Sequence, residues 1–276
     1  MEKKKMVVVQ SNNLTNAAYK LTLNEQRVML LLISKLDSRK KYTAEDSFTV
    51  TAEELSNTFG VAKKSSYRNL EEAGKDLFER KLTFKYEEKG HYLQTRWVSQ
   101  VEYKEGSGHI KVKFAPGIIP LITELKNNFT TYELEHTAKF KSAYSHRIYQ
   151  LLNQWKSVGR VKINLDGLRQ RLELTDYYNE YRRLKQKIIE PSLEEINASS
   201  NFKVEMNEIK EGRKVIGIDF RFKDKVARTP RLTHHRSQPK TVFAESTEVE
   251  SKLSDGDINN ALNGILKNIA RPITIN

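Results

Sequence analysis

The stretch Thr175–Asn197 reads TDYYNEYRRLKQKIIEPSLEEIN. Its apolar spacing predicts one long amphipathic helix, with Tyr181, Leu184 and Ile188 on a single core-facing side. At about 100° per residue, Asn179, Arg182, Arg183 and Gln186 fall on the opposite face, with Lys187 at its edge. The order of charge along this helix is unusual. Arg182, Arg183, Lys185 and Lys187 crowd the early turns, and Glu190, Glu194 and Glu195 crowd the later ones. A helix carries partial positive charge at its N-terminus, so the dipole alone favours the reverse order. An external polyanion would compensate the basic end, and Arg, Asn and Gln are the side chains that bond guanine and adenine edges in pairs. The alternative is a basic face that only meets solvent. Pro191 removes one helical hydrogen bond and is expected to kink the helix, leaving the acidic half outside any groove.

Working outward, this helix closes a pattern that occurs twice. In the first copy an apolar helix at Leu23–Lys35 has Asn24 as its cap and Val28, Leu31, Leu32 and Leu36 as its core face. A short strand follows at Phe48–Val50. Thr51 with Glu54 forms a capping box for a helix ending at Gly60, and another helix runs from about Ser65 to Lys81. Strands are expected at Thr83–Glu88, His91–Glu102 and His109–Phe114, the first two joined by Lys89-Gly90. In the second copy a helical region opens near Tyr132, with Phe140, Tyr144, Ile148, Leu151, Leu152 and Trp155 at helical spacing. Then come the strand segment VKINL, a short helix at Asp166–Arg171, the long helix, and two strands around Glu211–Arg213. Leu55–Val61 parallels Leu168–Leu174, and Tyr67, Leu70 and Leu82 parallel Tyr181, Leu184 and Ile196. Matching element order and matching apolar positions predict a repeated unit.

A helix-turn-helix followed by a β-hairpin is a winged helix, whose second helix enters the DNA major groove. The sequence therefore predicts an α+β chain of two tandem winged-helix domains related by an internal repeat, with a flexible C-terminal tail. The expected boundaries are 1–130, 131–227 and a mostly disordered 228–276. The tail carries one short amphipathic helix with Ile258, Leu262, Ile265 and Ile269 on one face. In the first copy the corresponding exposed face shows Ser65, Arg68, Asn69 and Glu72, with Lys63 and Lys64 in the turn before it. Glu71, Glu72 and Asp76 would repel phosphate, so this unit is expected to touch the DNA backbone or to form a dimer surface. The hairpin tip Lys210–Lys214, with Arg213 and Lys214, is basic and either meets neighbouring phosphates or is simply solvated.

Composition agrees with a polyanionic partner. Among 276 residues, 48 Lys and Arg face 35 Asp and Glu, giving a formal net charge of +13. There is no cysteine, which removes disulfides and thiolate metal sites. No window has the apolar length of a membrane span, and the run Met6–Val9 is too short for a secretory signal, so a cytoplasmic location is expected. No two of the six histidines stand one residue apart, as a nickase His-x-His pair would require, and no GxxxxGK[ST] loop occurs. No catalytic or metal-ligating residue and no cofactor is expected.

Three blocks together resemble the replication initiator (Rep) proteins of iteron-containing plasmids. They are VVVQSNNLTNAAYKLTLNEQRVMLLLIS at Val7–Ser34, SAYSHRIYQLL from Ser142, and the Tyr181 run ending KIIEPSLEEIN. The resemblance covers about Val7–Lys225 and excludes the tail. It implies bacterial tandem winged helices that bind directly repeated double-stranded sites in a plasmid origin as monomers. It also implies dimers, joined through the first domain, that repress the initiator's own gene, with a host replication initiator and the replicative helicase as partners. Carried onto this chain, the base-reading residues are Asn179, Arg182, Arg183 and Gln186. The competing reading is a winged-helix transcriptional repressor with no replication role.

Overall fold

The computed structural model describes residues 5–85, 91–104, 106–174 and 176–225. The anticipated tail helix and the Lys89-Gly90 turn lie outside them. The chain runs β1 (Val7–Ser11), α1 (Asn12–Asn16), α2 (Leu23–Lys35), β2 (Ser47–Thr51), α3 (Ala52–Phe59) and α4 (Lys63–Glu79). It continues through β3 (Lys81–Lys85), β4 (Tyr92–Arg96), β5 (Val98–Tyr103), β6 (His109–Phe114), α5 (Ile119–Ile122) and β7 (Phe129–Glu133). After a 3₁₀ turn at Leu134–Thr137 come α6 (Ala143–Gln154), β8 (Arg160–Asn164) and α7 (Leu165–Arg171). The end of the fold is α8 (Tyr181–Leu184), a π turn (Lys185–Ile189), α9 (Glu190–Ser199), β9 (Phe202–Glu211) and β10 (Lys214–Asp224).

The repeat is present in the sheets. In each unit the strand between the first two helices pairs with the last hairpin strand, which pairs with the one before it. The orders are β2-β6-β5 and β8-β10-β9, all antiparallel. Val50 opposes Ile110 in one and Ile163 opposes Ile218 in the other, and all four are buried. These are two tandem winged helices in an α+β chain, as the sequence predicts.

Several local expectations change. The cap of α2 is Thr22, not Asn24. Thr22 Oγ1 accepts from the Glu25 amide at 3.3 Å, and Glu25 accepts in return from the Thr22 amide at 2.9 Å. Glu25 is then buried and takes two 2.9 Å hydrogen bonds from Arg80, so the box also anchors the end of α4. The Thr51–Glu54 box and the left-handed Gly60 cap form as expected. The strand expected at His91–Glu102 breaks at Trp97. That indole is buried edge-on against Tyr19 at 4.9 Å, which ends the β3–β4 ribbon and lets the chain cross to β6. The region near Tyr132 opens as a strand rather than a helix, because β7 pairs with β1 in register Val9↔Thr131. The helix proper starts only after the Ser142 cap.

The predicted long helix from Thr175 begins instead at Tyr181. Asp176–Tyr178 is a 3₁₀ turn, closed by the Asn179 amide on the Asp176 carbonyl at 2.9 Å, and Glu180 is extended. Pro191 does not break the helix. A π turn precedes it, with the Glu190 amide bonded five residues back to Lys185. Such turns re-satisfy backbone groups where a regular ladder fails.

The two units meet around α6, which packs on α1, α2 and α9. Arg147 of α6 is buried. Its Nη2 donates to the carbonyls of Ala17 (2.7 Å) and Arg171 (3.1 Å), and its Nη1 to Gln150 Oε1 (3.3 Å). Its guanidinium lies 3.6 Å from the centre of the Tyr19 ring, a close cation–π contact. Tyr19 OH donates to Gln150, and Gln150 donates to Tyr132 OH. Removing a buried charged donor leaves carbonyls unpaired. Arg147→Ala is therefore expected to cost about 3 kcal/mol of unfolding free energy in denaturant titrations. Arg147→Lys is expected to restore little of it, since one ammonium cannot reproduce the planar fork.

Candidate nucleic-acid interface

The second winged helix builds its outer face from α7 upward. Asn164 caps α7 by accepting from the Gly167 amide at 2.6 Å, and a Cβ on Gly167 would stand 2.8 Å from that same oxygen. Glu173 takes a left-handed conformation (φ 46°) in the turn that follows. Arg169 of α7 then reaches across the turn. It donates to the carbonyls of Tyr178 (3.1 Å) and Asn179 (2.7 Å), with Asp166 closing the set at 2.9 Å. One side chain thus fixes where α8 starts. Its role was invisible in the sequence, because both acceptors are backbone atoms.

From Tyr181 onward, Leu184, Ile188, Ile189, Leu193 and Ile196 are buried, while Arg182, Arg183, Gln186 and Lys187 are exposed together. Four of the expected contact residues therefore share one face. Asn179 does not. It lies in the turn before the helix, where its amide donates to Asp176 Oδ1 at 3.2 Å. The unfavourable charge order is partly compensated inside the molecule. Glu180 stands directly before the helix and pairs with Arg183 at 2.9 Å, and Arg183 also lies over the exposed Tyr177 ring at 4.7 Å. Lys185 and Tyr181 both donate to Glu208 of β9, at 2.9 and 2.8 Å. Lys210 adds a second cationic contact to Glu208 at 3.2 Å. The wing is thereby tied to the helix. At its tip Gly212 (φ 58°) makes the turn, and Arg213 and Lys214 are exposed beside it.

In the first unit Lys63 and Lys64 lie on the first turn of α4, not before it, because the helix starts two residues earlier than its sequence suggests. Both are exposed, as is Arg68, whereas Ser65 and Asn69 are half-buried. Arg68 faces Glu72 at 3.9 Å and Lys75 binds Glu71 at 2.8 Å, so this face is self-neutralised along much of its length. Tyr67, aligned by the repeat with the half-buried Tyr181, is 53% exposed. Its ring covers Gly108, where φ is 69° and an added Cβ would fall 2.5 Å from the ring.

Among the described residues, Glu133, Glu135 and His136 bring possible ligand atoms within 4.8 Å of one another. Glu133 is held by Lys5 at 3.0 Å, and His136 Nδ1 faces Tyr149 OH at 3.1 Å. An open groove of about 300 Å³ lies between the units, lined by Ala18, Thr83, Lys85, Arg169, Gln170, Glu173 and Leu174. Among the described residues no helix is long and apolar enough to cross a membrane.

Two helix-turn-helix units, each closed by a β-hairpin wing, define a tandem winged-helix protein. The chain belongs to the initiator replication protein family: the pattern described as "Initiator Replication protein, WH1" matches residues 7–153, and "Initiator Rep protein, WH2" matches 164–222. A "Replication initiation protein" of Escherichia coli is 26% identical over 206 residues, covering 72% of this chain and 64% of that protein. The match thus spans just under two thirds of that relative. The "PI protein" of Escherichia coli is 24% identical over 253 residues, covering 79% of this chain and 83% of that one. The crystal structure of Pi initiator protein in complex with iteron DNA shares the fold, with a TM-score of 0.70 at 24% identity over 81% of this chain and 99% of that one.

The contact between wing and helix is pH-sensitive. Lys185 first, then Tyr181 and Lys210, hold the Glu208 carboxyl down to about 2, against an ordinary 4.5. A depressed folded-state value stabilises the fold above the unfolded value and loses that contribution as pH falls toward 2. Side-chain NMR titration should place the Glu208 midpoint well below those of exposed glutamates, and Lys185→Met should move it back toward 4.5.

Proposed function

We propose that this chain initiates plasmid replication by binding, as a monomer, directly repeated sites in the origin. The observation that carries the reading is the exposed set Arg182, Arg183, Gln186 and Lys187 on the helix that a winged helix presents to the major groove. Membership of the initiator family supplies the replication context, and the iteron DNA in the Pi initiator complex supports duplex repeats as the target. Arg182, Arg183 and Gln186 read base edges. Lys187, Asn179, Arg213 and Lys214 hold the flanking backbone, since phosphate contacts position a protein and base contacts give it specificity.

The first unit adds a backbone grip through Lys63, Lys64, Ser65, Arg68 and Asn69. It is also the surface through which two copies join to repress the initiator's own gene. We take the first domain as 1–130 and the second as 131–227. A host initiator and the replicative helicase are the proposed protein partners, the cytoplasm is the proposed location, and the activity is binding rather than catalysis.

Footprinting of the purified chain on the upstream region of its own plasmid tests this. Several evenly spaced direct repeats should be protected. Arg182→Ala with Arg183→Ala should lose that protection, at roughly 1–3 kcal/mol per base contact removed. Protection of one inverted repeat alone would instead support a dedicated repressor.

A further inference from the structure

Glu180 is a carboxylate where a polyanion is expected to dock. It occupies the position just before the helix, yet its side chain makes no capping hydrogen bond. It lies 2.9 Å from Arg183 Nε, and both side chains are about half exposed, at 54% and 49%. An exposed ion pair of this kind contributes little to stability. Arg183 is also held from another side by the Tyr177 ring, itself 52% exposed. Arg183 therefore needs no acid to keep its place, and an acid at this position repels every phosphate that approaches.

Base edges explain what phosphates do not. A carboxylate accepts from the amino group of cytosine in the major groove, as a guanidinium donates to guanine O6 and N7. Glu180 and Arg183 sit one helical turn apart, so an acceptor and a donor fork are presented side by side. We propose that Glu180 is a specificity-determining residue of this interface. Its carboxylate accepts from a cytosine amino group within the bound repeat, and on unrelated duplex it neutralises Arg183 and weakens non-specific binding. This rests on the second unit's helix being the base-reading element.

The test is Glu180→Gln, which keeps shape and removes charge. Binding would be measured across salt concentrations on the footprinted repeat, on a scrambled duplex of equal length, and on repeats with each base pair changed in turn. The variant should bind scrambled duplex several-fold more tightly, with a salt slope steeper by about one. Its preference for the repeat should fall about ten-fold, and in Glu180→Met, which removes the acceptor oxygen as well as the charge, the penalty for replacing one C·G pair should disappear. Unfolding temperature should not change. An unchanged preference and an unchanged base-pair profile would overturn the proposal. So would a parallel loss on both duplexes with a lowered unfolding temperature, which marks a structural role. If Arg182→Ala with Arg183→Ala still abolishes repeat binding, only the assignment of Glu180 has failed. If that variant binds normally, the base-reading helix itself has been misassigned.

Discussion

A guanidinium buried against carbonyls and an aromatic face holds this molecule together. Arg147 belongs to α6, the helix before β8, yet it bonds the carbonyl of Ala17 and stacks on Tyr19, both in the chain leading into α2. Its second backbone contact, the carbonyl of Arg171, lies at the end of α7, the helix that precedes the turn into α8. Burial lowers the affinity of Arg147 for its proton, and burial likewise pulls Arg171 down to about 10. A guanidinium nonetheless keeps its proton at ordinary pH. The charge therefore stays, and Nη1 and Nη2 exchange water for protein acceptors on burial. A shifted α6 would strand those donors. This makes the joint between the units a demanding one, set by hydrogen-bond geometry as well as by apolar contact.

The two winged helices share a topology and differ in what they show to solvent. In the first, Arg68 and Lys75 are opposed by Glu72 and Glu71 on their own helix, and the wing is contacted through Tyr67 on Gly108. In the second, acids are used more locally. Glu208 draws Lys185 inward to the wing, Glu180 draws Arg183 toward the turn, and Arg182, Gln186 and Lys187 keep the outer face. Surface pairs of this kind add little stability, so their effect is on which cations remain available to a polyanion. The two units share one scaffold and differ in the charge that they present to solvent.

Much of this was legible in the sequence where the signal is local. The Thr51–Glu54 capping box, Gly60, the wing turn at Glu211–Arg213 and the apolar face of Leu184 and Ile188 all depend on spacings of a few residues. The exposed group Arg182, Arg183, Gln186 and Lys187 follows from the same periodicity. What was missed depends on distant partners. β1 pairs with β7 across more than a hundred residues, and no property of VVVQS names FTTYE as its partner. Trp97 splits a continuous β-like run because of Tyr19, far away in sequence. Asn179 left the predicted helix face because Arg169 and Asp176 hold its turn, and the same contacts made Tyr177 and Glu180 part of the surface.

The π turn accounts for how one helix buries two apolar groups that a regular helix would place on different faces. Counted at about 100° per residue from Leu184, Ile188 stands near 40°, while Ile189, Leu193 and Ile196 centre near 150°. A regular helix would therefore bury one half of its apolar residues and expose the other. One extra residue in a turn sets the following segment back by about 100°, bringing the second group to about 50° and into line with the first. All five side chains are in fact buried. Pro191 stands just beyond, where its missing amide and its ring disfavour the regular ladder. The proline thus lies within a continuous helical run and does not end it. It fixes the place at which the helix slips phase, and that slip keeps Arg182, Arg183, Gln186 and Lys187 outward while Ile189, Leu193 and Ile196 stay in the core.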